Sequence, residues 1–314
     1  MASDDKKTPD NKIRPPERHY PDPKARGRGR KKEEPPTTGH TWDGIEEYDN
    51  PMPRWWLWTF YACVIWALWY VIAYPAWPLI NQATAGYKGW STRENLQQDM
   101  QAAEEANAEI QARLASVDLA EIPATPELDQ YAVSAGASIY RSWCSQCHGS
   151  GAGGVKAGGY PNLLDNHWLW GGTLEEIRYT IAHGIRNEDD PDARWSQMPA
   201  YGEILDREGI DQVVNYVMSM SGQEPRDAEA AAAGEEIFLN NCAACHGEAG
   251  GGMISMGAPA LNDAIWLYGG DYDTLMETVT YSRFGIMPAM GGADLSEAEL
   301  RAVAVYVHQL GGGQ

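Results

Sequence analysis

No nucleophile–histidine–carboxylate triad, metal-hydrolase motif or phosphate-binding loop occurs in these 314 residues, which leaves hydrolysis and phosphoryl transfer without their usual machinery. Cysteine is scarce: there are five, four of them inside two short motifs and the fifth, Cys63, in an apolar run, so no disulfide framework exists. Phenylalanine occurs three times against 13 tryptophans, many of which gather around one segment. Positive charge is lacking beyond residue 54, where 12 Lys/Arg face 33 Asp/Glu, whereas residues 1–54 hold 12 and 11. The net charge of −20 therefore sits on the globular part. It disfavours nucleic acid as a partner and favours a basic one.

What the chain does contain is one pattern twice, CSQCH at Cys144–His148 and CAACH at Cys242–His246. Residues three apart share a helical face, so each thiol pair can form thioethers with the two vinyl groups of one porphyrin. The next residue then offers an imidazole to the iron. A lone Cys-x-x-Cys is also compatible with half a zinc site or a redox pair; the adjoining histidine and the second copy point instead to two covalently bound haem c groups.

Residues 1–54 read as a cytoplasmic tail and juxtamembrane segment, largely disordered before residue 40, because Lys, Arg, Pro, Gly and Asp leave little apolar surface to bury. No charged residue occurs between Trp55 and Ile80. The 20 residues from Trp55 to Tyr74 make a helix roughly 30 Å long, one hydrocarbon thickness. Trp55, Trp56 and Trp58 at one end and Tyr74 and Trp77 at the other form aromatic belts, and Pro75 and Pro78 end the helix. A cleaved signal peptide would need a shorter preceding region and a small-residue cleavage site. Within 55–80, Ala62, Trp66, Trp69 and Ala73 form a face that suits either a neighbouring helix or lipid. Lys/Arg enrichment before the span puts the N-terminus in the cytoplasm and residues 81–314 in the periplasm of a bacterial inner membrane, where haem c is attached. Residues 81–130 form a spacer. Over 91–117, Leu96, Met100, Ala103, Asn107, Ile110, Leu114 and Val117 repeat at 4-3 spacing, either a docking seam or the inner stripe of a solvated helix.

Residues 135–172 and 233–270 match at a constant offset of 98, and the first copy then carries nine extra residues near IRNEDDPDARW, an inserted surface loop. After that insertion, MPA at Met198–Ala200 meets MPA at Met287–Ala289, and Tyr216-Val217 meets Tyr306-Val307. A period of about ninety residues with one haem motif apiece means two small domains, 131–222 and 230–312, rather than a solenoid.

Each copy resembles a class I cytochrome c in its N-terminal helix, Cys-x-x-Cys-His, proline-containing loop, Met-Pro segment and C-terminal helix. DGIEEYDNPMPRWW (Asp43–Trp56) leading into one Trp-rich span is similar to the membrane-anchored di-haem subunit of cbb3-type cytochrome c oxidases. The resemblance implies an all-α fold, one N-terminal transmembrane helix followed by two tandem cytochrome c domains. It also implies thioethers at Cys144, Cys147, Cys242 and Cys245, and axial iron ligands His148, Met198, His246 and Met287. In that family a carbonyl in the loop of Pro161 or Pro259 accepts the proximal imidazole's other N–H. Gly136 and Gly234 would let the terminal helices cross closely, with Tyr216 and Tyr306 over them. Met218, Met220, Met253, Met256 and Met290 are rival sulfurs, and His167 or His183 rival imidazoles in the first domain. The implied function is electron relay from a periplasmic or membrane-anchored cytochrome c to the other membrane subunits of the oxidase, the single span lying in membrane lipid. A haem–copper site needs several histidines within the membrane, and this span has none. A free-standing anchored carrier, a di-haem peroxidase and a gas-sensing module share the same haem motifs.

Overall fold

The computed structural model describes residues 35–314; the tail expected to be disordered lies, up to residue 34, outside the described residues. Two compact units divide the chain, one up to Glu94 and one from Asn95 to Gln314.

The first unit corrects the all-α expectation. It opens on an antiparallel hairpin, β1 (Thr37–Trp42) and β2 (Ile45–Tyr48), with Trp42 opposite Ile45 and Thr37 opposite Tyr48. Asp43 and Gly44 between them have φ of 49° and 84°, the twin left-handed conformation of the two-residue turn that matches strand twist, and Asp-Gly is its preferred sequence. After Pro53 comes α1 (Arg54–Ala73), the one helix among the described residues long and apolar enough to cross a membrane. Its sides are nearly all open, as a lipid-facing helix requires. Pro75 stops it, and the chain folds back so that the Tyr87 and Lys88 amides donate to the Ile72 and Ala73 carbonyls at 3.2 and 3.1 Å. Those are two of the carbonyls a helix end leaves unpaired. Gly86, at φ 68°, presses on Ala73, which is buried by this return loop.

The second unit begins within α2 (Thr92–Ser116). Only the last part of the proposed seam is used: Leu114 is fully buried, with Ile110 and Val117 beside it, while Leu96 and Met100 stay exposed. Arg301 reaches from the far end of the chain to donate to the Leu114 and Val117 carbonyls. Next come α3 (Pro126–Ile139), a five-residue π turn to Cys144, α4 (Ser145–His148), α5 (Leu174–His183) and α6 (Arg207–Met220). Then α7 (Ala228–Asn241), α8 (Ala243–His246), α9 (Tyr272–Tyr281) and α10 (Glu297–His308) repeat the series.

The pairing of these helices departs from the contiguous domains 131–222 and 230–312. Helix α3 packs on α10, and α6 packs on α7. The C-terminal helix of each copy thus serves the other copy. Gly136 lies against the Ala302 carbonyl and Tyr306, and Gly234 against the Gln212 carbonyl and Tyr216. Two cores result. Lobe A (95–196 and 285–314) is built on Leu114, Ile122, Tyr140, Ile177, Val303 and Val305. Lobe B (197–284) is built on Ile210, Val213, Val214, Val217, Phe238 and Leu275. Lobe B is continuous in sequence and is inserted into lobe A.

Connection length explains the exchange. Only residues 221–227 join α6 to α7, and short helix–helix links favour packing of the helices they join. The link is also fixed: buried Asn215 accepts the Asp227 amide at 3.0 Å, and Asp227 caps α7 through the Glu229 and Ala230 amides. Lobe A is closed by an Arg178–Glu297 ion pair at 2.7 Å between α5 and α10.

A Cβ at Gly136 or Gly234 would overlap a backbone carbonyl that cannot rotate away. Gly136→Ala and Gly234→Ala should each cost about 1–3 kcal/mol, read as a lowered unfolding midpoint of the haem-loaded protein. Gly151→Ala, which meets nothing within 4 Å, should leave the midpoint in place.

Candidate haem centres

Both Cys-x-x-Cys-His motifs lie on a single helical turn, α4 and α8, reached directly from the long helices α3 and α7. Each turn ends on a left-handed glycine, Gly149 or Gly247, and each imidazole then meets the loop thirteen residues on. His148 Nδ1 is 3.1 Å from the Pro161 carbonyl and His246 Nδ1 is 2.9 Å from the Pro259 carbonyl. A carbonyl only accepts, so the proton resides on Nδ1 and Nε2 keeps a lone pair for a metal. Burial pushes both imidazoles below their usual range, the Pro161 and Pro259 bonds only partly opposing it. Burial, aided by the neighbouring thiol, pushes Cys144 and Cys242 up to about 11, so both are protonated thiols at neutral pH.

One continuous cavity of about 360 Å³ runs between the lobes and is lined by both imidazoles, all four motif cysteines, Met198 and Met287. The exchanged helices also exchange the methionines. The Met287 strand pairs with Ile185 of lobe A, with amide–carbonyl distances of 2.9 and 3.0 Å, and a Cβ on the following Gly291 would stand 3.9 Å from the Cys144 sulfur. Met287 itself packs against the lobe A core. The Met198 carbonyl is held by Ser282 of lobe B, and Tyr201 just after it donates to the Asn241 carbonyl, next to Cys242. The Met287 strand is thus attached to the lobe of His148, and the Met198 strand to the lobe of His246. Contiguous domains would pair them the other way.

The rival imidazoles each have a carboxylate partner, although His167 also lines the cavity. His183 Nδ1 lies 3.0 Å from Asp190 in the nine-residue insertion, and His167 pairs with Asp263 of the other lobe at 3.3 Å. Met290 sits in a left-handed turn past Met287, φ 52°, and Met218 is buried in the lobe B core.

The cavity suits a flat apolar group that carries carboxylates. Its walls are largely aromatic and aliphatic, and Trp170, 6% exposed, presents an indole N–H with no partner among the described residues. A buried unpaired donor costs on the order of 1–3 kcal/mol, and a haem carboxylate would satisfy it. Trp170 presses on Gly257 of lobe B, while its counterpart Tyr268 presses on Gly159 of lobe A. The pseudo-twofold relation between lobes therefore passes through the cavity.

Sequence reasoning missed two arginines that frame the methionine strands, although both stand four residues before a Met-Pro. Arg194 binds Thr180 Oγ1 at 2.8 Å and stacks 4.9 Å from Tyr179. Arg283 binds Thr278 Oγ1 at 3.0 Å and stacks 4.7 Å from Tyr268. Each fixes the strand to its own lobe just before it crosses to the other.

The N-terminal domain of cytochrome oxidase-cbb3, FixP, matches as a family model over residues 34–81. Cytochrome C oxidase, cbb3-type, subunit III matches over 132–217 and again over 229–307. The chain is similar to the cbb3-type cytochrome c oxidase subunit CcoP of Cereibacter sphaeroides, 60% identical over 283 residues that cover 90% of this chain and 96% of the relative. It is 52% identical to the subunit CcoP of Rhodobacter capsulatus over 293 residues, 90% of this chain and 98% of that one. Subunit FixP of Azorhizobium caulinodans matches at 50% over 280 residues, 89% and 94%.

Proposed function

Because this chain belongs to the cbb3-type cytochrome c oxidase subunit III family, whose members are membrane-anchored electron-transfer subunits with cytochrome c domains, we propose that it works through two haem c groups set in one shared cavity. Cys144 and Cys147 would hold the first, with His148 and Met287 supplying its iron ligands; Cys242 and Cys245 would hold the second, with His246 and Met198. The observation that carries this is the single cavity onto which both imidazoles and both thioethers open. Haem c supplies a one-electron iron couple there. The chain's own residues do the rest. Pro161 and Pro259 orient the imidazoles, and the thioethers favour the reduced iron because sulfur donates weakly. With an imidazole and a thioether from this chain on each iron, no position would remain for a substrate, and the chain's role would be to pass charge.

The donor is a periplasmic or membrane-anchored cytochrome c, and electrons leave toward the other subunits of the oxidase. The N-terminus is cytoplasmic, α1 spans the inner membrane in contact with lipid, and the lobes are periplasmic; the Lys/Arg excess in residues 1–32 supports that orientation. With 33 acidic against 12 basic side chains beyond residue 54, a donor with a basic haem face is steered in. The test is a preparation carrying two covalent haems per chain. Its second-order rate of reduction by a basic cytochrome c should fall at least about tenfold between 10 mM and 300 mM salt. A haem count of one, or a rate flat in salt, overturns the corresponding part.

A further inference from the structure

Arg186 lies in the insertion that only the first copy carries, and it stands where the two crossing strands meet. Its Nε donates to the Gly285 carbonyl and its Nη1 to the Ser196 carbonyl, each at 2.7 Å. Those carbonyls are equivalent: Ser196 is two residues before Met198, and Gly285 two before Met287. One guanidinium therefore grips the same point on both methionine strands, one bound for each lobe. Its backbone is tied in as well, since its amide donates to the Arg194 carbonyl at 2.8 Å, and the preceding Ile185 is the residue that pairs with Met287. Its φ of 52° is left-handed, uncommon for a side chain of this size. Phe284 lies 5.8 Å beneath the guanidinium, and the group lines the shared cavity. The second copy, which lacks the insertion, has no counterpart of this arginine, so there is one such clamp for two centres.

We propose that Arg186 is a positioning residue that joins the two axial methionine strands into one mechanical unit, so that the ligation of both haems loosens or holds together. This rests on Met198 and Met287 being the sixth ligands. Breaking one strand's bond leaves a carbonyl unpaired beside a half-buried cation. Breaking both frees the two strands where each crosses between lobes, leaving the single hydroxyl of Ser282 on the Met198 carbonyl as a side-chain bridge.

The test uses the full chain with Arg186→Gln and Arg186→Lys, each first shown to hold two covalent haems. The readouts are the absorption of thioether-ligated ferric haem, the two midpoint potentials, and carbon monoxide uptake by the reduced protein. Losing charged hydrogen bonds of this kind corresponds to about a tenfold change in an equilibrium constant. In Arg186→Gln, uptake should therefore rise about tenfold at both haems, the thioether absorption should weaken at both, and both potentials should fall. Arg186→Lys keeps the charge but not the fork, and should show the same paired change at smaller amplitude. It is the deciding variant if Arg186→Gln does not load haem. Arg178→Gln, which opens an ion pair of lobe A alone, should change at most one haem. A change at one haem only, or at neither, in the Arg186 variants overturns the proposal. Absence of thioether absorption from the unmutated protein would instead overturn the ligand assignment beneath it.

Discussion

Met287→Ala should strip the sulfur ligand from the iron held by His148, far upstream in the other copy, and leave the iron of its own copy untouched. Met198→Ala should do the reverse. The expectation follows from backbone pairing rather than from the repeat: Met287 is bonded to Ile185 of lobe A, and Met198 is held by Ser282 of lobe B. Each variant is to be read in two backgrounds, one with Cys242 and Cys245 replaced by alanine and one with Cys144 and Cys147 replaced. With only the first haem present, Met287→Ala should convert it to a five-coordinate, carbon monoxide-binding form, whereas Met198→Ala should leave its spectrum as it was. The potential of the affected haem should fall by on the order of a tenth or more of the roughly 0.8 V that axial ligands span. If instead Met198→Ala is the variant that alters the His148 haem, the crossed arrangement is wrong and contiguous domains are right.

The features legible in the sequence are those with a fixed chemical spacing. Thioether attachment forces Cys-x-x-Cys-His, hydrocarbon thickness forces the uncharged run that became α1, and the offset of 98 shows which residues are equivalent. Equivalence does not say which copy a helix packs against. Tyr216 and Tyr306 occupy the same position in their copies, so composition and period are indifferent to whether α6 lies on α3 or on α7. The signals that distinguish them are the short 221–227 link, Asn215 and the charges of Arg207 and Asp211 where the other copy has Glu297 and Arg301, and none is a motif. The hairpin was legible in principle: Asp43-Gly44 between Trp42 and Ile45 is a strong turn signature, hidden because the segment reads so readily as part of a charged tail. Arg186 left no trace, because its role depends on two carbonyls that are far apart in sequence.

Cutting the chain along each of its two possible domain boundaries should give opposite results. A fragment of residues 197–284 contains α6, α7, α8 and α9 together with Met198, a whole core and a full ligand set, and should fold with one covalent haem. A fragment of residues 95–222 contains the first haem motif but neither α10 nor Met287, and should fail to load haem. Its only route to closure is to put α6 where α10 belongs, and the charges oppose that. Arg207 is the counterpart of Glu297, so Arg178 would meet a cation in place of its carboxylate partner. Asp211 is the counterpart of Arg301, so a carboxylate would face the Leu114 and Val117 carbonyls that Arg301 now satisfies. Such mismatches reject the wrong partner as effectively as good contacts select the right one. Without a partner, Val213, Val214, Val217 and Met218 would be left in water, forfeiting about 1.5–3 kcal/mol each, against a total domain stability of about 5–15 kcal/mol. Covalent haem per chain and cooperative thermal unfolding, measured on both fragments after periplasmic expression, decide the matter. Equal haem loading with sharp unfolding in both would mean that the helices can close within one copy, and that the exchange is not what holds the lobes together.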